Sequence, residues 1–135
     1  MSISKTSHSD LVIVEFSDVH LGHHNTSTAH VIHSLMLLFP DNPTTADIDI
    51  IFIAGDVFDR RLSLPAPEVT LIKQWITHFL RLCKKHDIVV RISNGTPSHD
   101  WNQSKLFNEL NELAEIGCDV RYVPGLEIEH IPRFN

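Results

Sequence analysis

Several features that mark specialised protein classes are scarce in this sequence. It contains two cysteines and five glycines, and 7% of its residues are aromatic. No apolar run approaches the roughly 20 residues that a membrane-spanning helix needs, and the polar start, MSISKTSHSD, is unlike a signal peptide. Cys83 and Cys118 stand apart in helix-like patterns, so we expect reduced packing residues and no disulfide framework. These absences favour a cytoplasmic protein that does not enter a membrane.

Positive charge is also scarce. Eleven basic residues stand against seventeen acidic ones, which gives a net charge of −6 with histidines counted as neutral. Such a balance argues against a protein that coats nucleic acid through non-specific charge attraction. It does not exclude a phosphate-handling site, because bound metal ions can supply positive charge. The length of 135 residues is that of a single domain, which we place at 1–135.

Apolar runs and apolar periodicity predict alternating strands and helices. Four strands are expected at 11–16, 48–54, 88–92 and 120–123, and the alternating stretch 126–131 is interpreted as a half-buried edge strand. Helical spacing predicts three helices at about 28–39, 66–85 and 106–114. Ser27 or Thr28 is a suitable cap for the first helix, and Pro40 ends it. Gly117 is expected to end the third helix, and the segment 40–47, PDNPTTAD, is expected to be a surface loop.

This alternation predicts an α/β fold with a parallel-type sheet and flanking helices. Because crossovers between parallel strands are right-handed in nearly all known proteins, we expect helices on both faces of the sheet. Ligands of open parallel sheets bind beyond the carboxyl ends of the strands. The residues that follow each strand are therefore the candidates for chemistry.

Carboxylates and imidazoles follow the first three predicted strands. They are Asp18, His20, His23 and His24 after the first strand, Asp56, Asp59 and Arg60 after the second, and His99 and Asp100 after the third. Each has an ordinary alternative: a lone Asp is often a turn cap, His23 and His24 fit a plain loop, and Asp59 with Arg60 fits a surface ion pair. Because the three groups should meet at one edge of the sheet, their combination indicates a functional site.

The residue types favour a metal centre. Asp18 and His20 point the same way in an extended segment and could hold one ion, and Asp56 from the next strand could bridge two ions. Carboxylates together with imidazoles suit manganese, iron or zinc better than calcium. Two-metal centres activate water and stabilise a phosphoryl group under attack. His99 could donate a proton to the leaving oxygen while Asp100 holds its ring.

Three segments resemble the first three motifs of the calcineurin-like metallophosphoesterases. They are SDVHLG at 17–22, GDVFDR at 55–60 and GTPSHD at 95–100. Within that superfamily the wording is most similar to the SbcD-like DNA-repair exonucleases, and the resemblance covers about residues 10–125. It implies the amino-terminal half of an αββα sandwich, a two-metal hydrolase with manganese or else iron, zinc or magnesium, and a DNA substrate. It also implies a coiled-coil ATPase partner and a homodimer.

The resemblance further implies a role for individual positions. These roles are first-metal ligands for Asp18 and His20, the bridging carboxylate for Asp56, the phosphate-contacting histidine for His99 with Asp100 as its partner, and a supporting pair for Asp59 and Arg60.

The sequence departs from the family pattern in two places. The third motif usually reads Gly-Asn-His-Asp or Gly-Asn-His-Glu, and its Asn binds the second metal. Here Ser98 precedes His99, and a serine hydroxyl is a poorer ligand; Asn94 is the other candidate, although Pro97 stiffens the path between them. The later Gly-His-x-His motif has no counterpart, because His130 alone follows Asp100. We therefore expect a truncated domain, or one completed by another polypeptide.

Three functions remain open from the sequence. The first is metal-dependent hydrolysis of DNA, as an exonuclease or endonuclease. The second is a phosphatase acting on a protein or small phosphoester, which the acidic composition would suit. The third is a non-catalytic remnant that binds a metal ion or a partner, as the missing later motif would favour.

Overall fold

A sheet of four parallel strands forms the centre of the structure, a computed structural model in which residues 10–134 are described. The strands are β1 (Ile13–Phe16), β2 (Ile50–Ile53), β3 (Val89–Ser93) and β4 (Val120–Val123). Their order in space is β1-β2-β3-β4, and each neighbouring pair is parallel. The predicted α/β class, parallel sheet and four principal strands are confirmed.

Helices connect the strands. They are α1 (Thr28–Leu38), α2 (Pro43–Ala46), α3 (Pro67–Lys85), α4 (Pro97–Asp100) and α5 (Leu106–Leu113), with 3-10 turns at Gln103–Lys105 and Pro132–Phe134. Ser27 caps α1 through its side-chain oxygen, which accepts from the His30 N–H. Among residues 10–134 no helix is both long and apolar enough to cross a membrane.

The short helix α2 lies where a surface loop was expected. Asn42 caps it by accepting hydrogen bonds from the N–H groups of Thr44 and Thr45, and Pro43 occupies the first helical position, which needs no N–H donor. The cap and the proline together suit a helix start. The interpretation of 40–47 as a loop was therefore wrong for its central turn.

All three long helices pack on one face of the sheet, so the prediction of helices on both faces was wrong. Helix α3 contacts α1 on one side and α5 on the other, and the shared core includes Ile51, Ile53, Val90 and Ile92 of the two central strands. Because the strand order follows the chain order, every crossover connects a strand to its immediate neighbour, always in the same direction across the sheet. Crossovers of one hand that move in one direction place their helices on the same side.

The opposite face of the sheet carries charge. Arg91 on β3 is 8% exposed and donates two hydrogen bonds of 2.7 Å to the Glu129 carboxylate. It also donates to Oδ1 of Asp119 at 3.0 Å. Arg121 on β4 pairs with Glu127 and Glu129. The segment after β4 is therefore fixed against the sheet by ion pairs.

The predicted edge strand at 126–131 was wrong, because the structure assigns no strand there. The sequence does alternate between polar and apolar residues, but the polar residues face the sheet and the apolar ones face solvent, the reverse of a half-buried strand. Glu127 and Glu129 reach the sheet arginines, whereas Leu126 and Ile128 are almost fully exposed.

Both cysteines are buried and free of disulfides, as predicted. Burial raises the pKa of the Cys118 thiol to about 12. A thiol with so high a pKa remains protonated and is unreactive at neutral pH.

Candidate metal centre

The loops that follow β1 and β2 are joined by backbone hydrogen bonds. The His20 N–H donates to the Asp56 carbonyl at 3.1 Å, and the Leu21 N–H donates to the Val57 carbonyl at 2.8 Å. The Asp59 N–H returns a bond of 3.0 Å to the Leu21 carbonyl. These bonds hold the side chains of His20 and Asp59 at one edge of the sheet.

Asp100 joins the loop after β3 to the loop after β2. Its side chain is fully buried, and its carboxylate accepts from the N–H groups of Gly95 at 2.6 Å, Asp56 at 3.0 Å and Phe58 at 3.2 Å. These bonds differ from the expected role of Asp100, which was to hold the His99 ring. In the structure Asp100 positions two loops.

Two glycines allow these loops to approach each other. A Cβ atom on Gly95 would lie 2.2 Å from the Asp56 nitrogen, and one on Gly55 would lie 2.7 Å from the Cα of Gly95. Gly55 also has a φ of +88°, which side chains rarely adopt. The contact therefore requires glycine on both sides.

Three predicted ligands have left-handed backbone conformations. The φ angles are 56° at Asp18, 52° at His20 and 53° at Asp56. Such angles are uncommon outside glycine and store strain of about 1–3 kcal/mol each, typically at functional sites. The sequence interpretation assumed that residues 18–20 form an extended segment, and this was wrong. Their side chains still meet, because Oδ1 of Asp18 lies 3.6 Å from Nε2 of His20.

His20, Asp56 and His99 come together at the centre of the site. Each offers one ligand atom, and these three atoms lie within 4.8 Å of one another. The imidazole rings of His20 and His99 meet edge to face, with centroids 4.9 Å apart. Nδ1 of His99 lies 3.6 Å from Oδ2 of Asp56. The three strand ends thus deliver one donor each, and Asp18 lies at the exposed side of the group.

Asp59 orients His20. The carboxylate Oδ1 of Asp59 lies 2.9 Å from Nδ1 of His20, which places the proton of a neutral ring on Nδ1 and leaves a lone pair on Nε2. A carboxylate behind a histidine is the usual support of a metal ligand. Arg60 supports the same loop by donating from Nε to the Gly22 carbonyl at 2.9 Å.

Thr96, which the sequence analysis did not single out, holds the carboxylate of Asp56. Its N–H donates to Oδ1 at 2.6 Å, and its hydroxyl donates to Oδ2 at 3.3 Å. Partial burial raises the pKa of Asp56, but the bonds from Thr96 and the nearby His99 outweigh that effect, so the pKa lies below its usual value. Asp56 is therefore ionised at neutral pH, as a cation site requires.

A second group of potential ligands adjoins the first. His23, His24 and Asp59 also offer atoms within 4.8 Å of one another, and the two rings are stacked with centroids 4.9 Å apart. Nδ1 of His23 already accepts from the Asn25 N–H at 3.1 Å, and Asp59 is shared with His20. An ion at this group would compete with both contacts.

Ser98 and Asn94, the sequence candidates for a second metal site, lie elsewhere. They line a separate cleft with Pro97, Trp101 and Asn102. The cleft that contains Asp18, His20 and His99 also contains His23 and Asp59. The structure therefore brings neither Ser98 nor Asn94 into the His20 group.

Comparisons of the chain with models of protein families, with curated proteins and with solved structures give no match. The geometry of the site and the three sequence motifs are therefore the basis for inferring a function.

Proposed function

We propose that this chain hydrolyses phosphodiester bonds in DNA with the help of a divalent metal ion. The observation that carries the proposal is the meeting of His20, Asp56 and His99 within 4.8 Å, with Asp18 beside them. These residues belong to the three motifs that resemble those of SbcD-like nucleases. The same resemblance leads us to expect a coiled-coil ATPase partner and a homodimer.

The donor set fits a transition-metal ion, and manganese is our choice. Asp18, His20 and Asp56 would hold it, through two carboxylates and the Nε2 lone pair of His20 that the Asp59 hydrogen bond leaves available. Mixed oxygen and imidazole donors suit manganese, iron or zinc. The chemistry that such an ion supplies is positive charge, which stabilises a phosphoryl group and acidifies a water molecule.

We infer that His99 acts on the leaving oxygen. Its Nδ1 is buried without a hydrogen-bond partner among the described residues and faces Asp56, yet its side chain is 37% exposed. The exposed part of the ring therefore faces the cleft shared with Asp18 and His20. A general acid needs a nitrogen that is open to substrate. The carboxylate beside Nδ1 of His99 is that of Asp56, at 3.6 Å, whereas Asp100 bonds to backbone N–H groups instead.

A second ion would have its ligands in His23, His24 and Asp59. Because His23 and Asp59 already make hydrogen bonds there, we expect this group to bind more weakly than the His20 group. A single tightly held ion is therefore the expected state of the chain.

The other two functions make different predictions. A phosphatase would favour a small phosphomonoester, and a non-catalytic domain would bind manganese without turnover. We propose to assay linear duplex DNA and p-nitrophenyl phosphate with the purified 135-residue chain in manganese. Cleavage of DNA at a rate well above that of the ester would support the nuclease, and the reverse would support the phosphatase. Binding of manganese with neither activity would favour the hypothesis of a non-catalytic domain.

The variant His99→Ala tests the role of the imidazole. We expect kcat on DNA to fall about 100- to 10,000-fold, the usual effect of losing a general acid, while the Kd for manganese changes less than about threefold because His99 is not needed as a ligand. Isothermal titration and a cleavage assay measure the two effects. A loss of manganese affinity as large as that of Asp56→Asn would instead make His99 a metal ligand.

A further inference from the structure

Trp101 is an exposed aromatic ring, two residues after His99, in the cleft that adjoins Ser98 and Asn94. It is 52% exposed, whereas Trp75, the second tryptophan, is 3% exposed. The indole Nε1 donates to the Ser98 carbonyl at 2.8 Å, so the polar edge of the ring is already bonded. Its backbone φ of 47° is an outlier for a bulky residue, and such strain concentrates where ligands bind.

Arg61 lies over this ring. Its guanidinium carbon is 5.9 Å from the centroid of the Trp101 ring, and within residues 10–134 no carboxylate forms an ion pair with it. Arg61 follows Asp59 by two residues, and Trp101 follows His99 by two. The pair therefore belongs to the two chain segments that carry Asp59 and His99, and the guanidinium of Arg61 is available to an anion.

The cleft at Trp101 also offers amide groups. Asn94, Ser98 and Asn102 line it together with Trp101, and its volume is about 550 Å³. Oδ1 of Asn94 is buried and has no hydrogen-bond partner among the described residues. An aromatic face, a guanidinium without an ion pair and the unpaired Oδ1 of Asn94 together match a nucleotide, which presents a flat base, a phosphate and polar base edges.

We propose that Trp101 and Arg61 form a nucleobase subsite that binds single-stranded DNA next to His99. The base stacks on the exposed indole, and Arg61 contacts an adjacent phosphate. Every base has a π face, so the subsite binds without strict sequence preference. This inference deepens the proposed function and rests on it, because the strand held here is the one whose phosphodiester reaches the metal centre.

Binding without catalysis tests the subsite. The full 135-residue chain is titrated with fluorescein-labelled oligothymidylate in EDTA, so that neither a metal ion nor turnover is needed. A labelled abasic oligomer of the same length has the same phosphates but no bases. We expect oligothymidylate to bind roughly 5- to 150-fold more tightly than the abasic oligomer, the range for stacking of one base. Unlabelled oligothymidylate should also quench the fluorescence of Trp101.

Substitutions separate stacking from charge. Trp101→Ala should remove the preference for thymidylate over the abasic oligomer, and Trp101→Phe should restore part of it because phenylalanine also stacks. Arg61→Ala should weaken both oligomers and reduce the slope of log affinity against log salt concentration by about one. Far-UV circular dichroism would show that the variants are folded.

Equal affinity for the two oligomers, or a base preference that survives Trp101→Ala, would overturn the subsite. Absence of binding to both oligomers would overturn it as well. Base-dependent binding in a chain that cleaves no DNA would contradict the proposed function alone, and DNA cleavage without base-dependent binding would contradict the subsite alone.

Discussion

At the scale of single residues, several side chains serve the site by positioning its ligands. Asp100 binds three backbone N–H groups of two loops, Asp59 orients His20, and Thr96 holds the carboxylate of Asp56. A metal ligand that is held in the wrong position binds the ion less tightly. Loss of a residue that orients a ligand typically lowers metal affinity 10- to 100-fold. The geometry of the site therefore depends on more residues than would touch the ion.

Gly95→Ala tests the close approach of the loops. A methyl group at Gly95 would meet the nitrogen and Oδ1 of Asp56 and Oδ2 of Asp100 at less than contact distance, so the loops must separate. We expect the free energy of unfolding to fall by about 1–3 kcal/mol, as in overpacked cores, and manganese affinity to fall with it. Urea denaturation and metal titration measure both.

Gly125→Ala is the matched control, because a Cβ at Gly125 would have no neighbour within 4 Å. It should leave stability and metal affinity nearly unchanged. If Gly95→Ala behaved like the control, the contact between the two loops would not support the site.

The central residues of the site were easier to predict from the sequence than the residues that support them. His20, Asp56 and His99 each follow an apolar run, and parallel strands bring such positions together. The partner of Asp100 depends on the path of the 93–100 loop, which local sequence does not determine. Thr96 offered one signal only, a hydroxyl directly after Gly95.

At the scale of elements, the segment after β4 is attached to the sheet by charge. Glu129 forms a two-pronged ion pair with Arg91, whose guanidinium is largely buried. Hydrogen bonding to Arg91 lowers the pKa of Glu129 below its ordinary value of 4.5, against a smaller opposing effect of burial. The ionised form of Glu129 is thus favoured by folding.

Glu129→Gln should lower the free energy of unfolding at pH 7 by about 1–3 kcal/mol, because it removes the two-pronged carboxylate partner of the buried Arg91 and leaves Asp119 as the remaining ion-pair partner. Because the folded pKa of Glu129 is depressed, its contribution is fully present above 4.5 and is lost as the pH falls through the lower folded value. The difference between the original chain and the variant should therefore be constant near neutral pH and shrink as the pH falls below 4.5. Urea denaturation at several pH values measures it.

Glu112→Gln, at an exposed position of α5, should show little difference at any pH. A Glu129→Gln effect that stayed constant down to pH 3 would contradict the attachment by charge.

Strands and helices were predicted correctly where the apolar pattern of the sequence matches the residues that the fold buries. The strand β2 is a continuous apolar run, β3 is apolar except for Arg91 and the terminal Ser93, and the amphipathic helix α3 was placed within a residue of its bounds. The alternation at 126–131 was misinterpreted because period alone does not tell which set of residues faces the sheet. Buried Arg91 and half-buried Arg121, on the neighbouring strands β3 and β4, attract the glutamates toward the sheet.

At the scale of the whole molecule, the helices form a single layer on one face of the sheet. Strand order equal to chain order places α1, α3 and α5 on one face, and the other face presents Arg91, Arg121 and the segment that follows β4. The sequence showed the class of fold but not the strand order, since the apolar runs are equally compatible with strands wound in both directions. The placement of all three long helices on one face could be predicted only once the order of the strands in the sheet was known.

The one-sided fold nevertheless leaves the carboxyl ends of the strands open. The loops that carry His20, Asp56 and His99 converge there on a cleft that includes Asp18 and Asp59. The net charge of −6 favours cations at this edge, and it requires that any approach of DNA be assisted by metal ions or by local positive residues such as Arg61.

Titration of the purified chain with manganese, beside its Asp56→Asn variant, tests the central claim most directly. We predict one tightly bound ion in the original chain and an affinity at least about 100-fold lower in the variant, since Asp56 is the carboxylate at the centre of the ligand group. His24→Ala, a control in the adjoining group, should keep the tight ion. Full retention of manganese by Asp56→Asn, or no binding by the original chain, would contradict a metal centre at Asp18, His20 and Asp56.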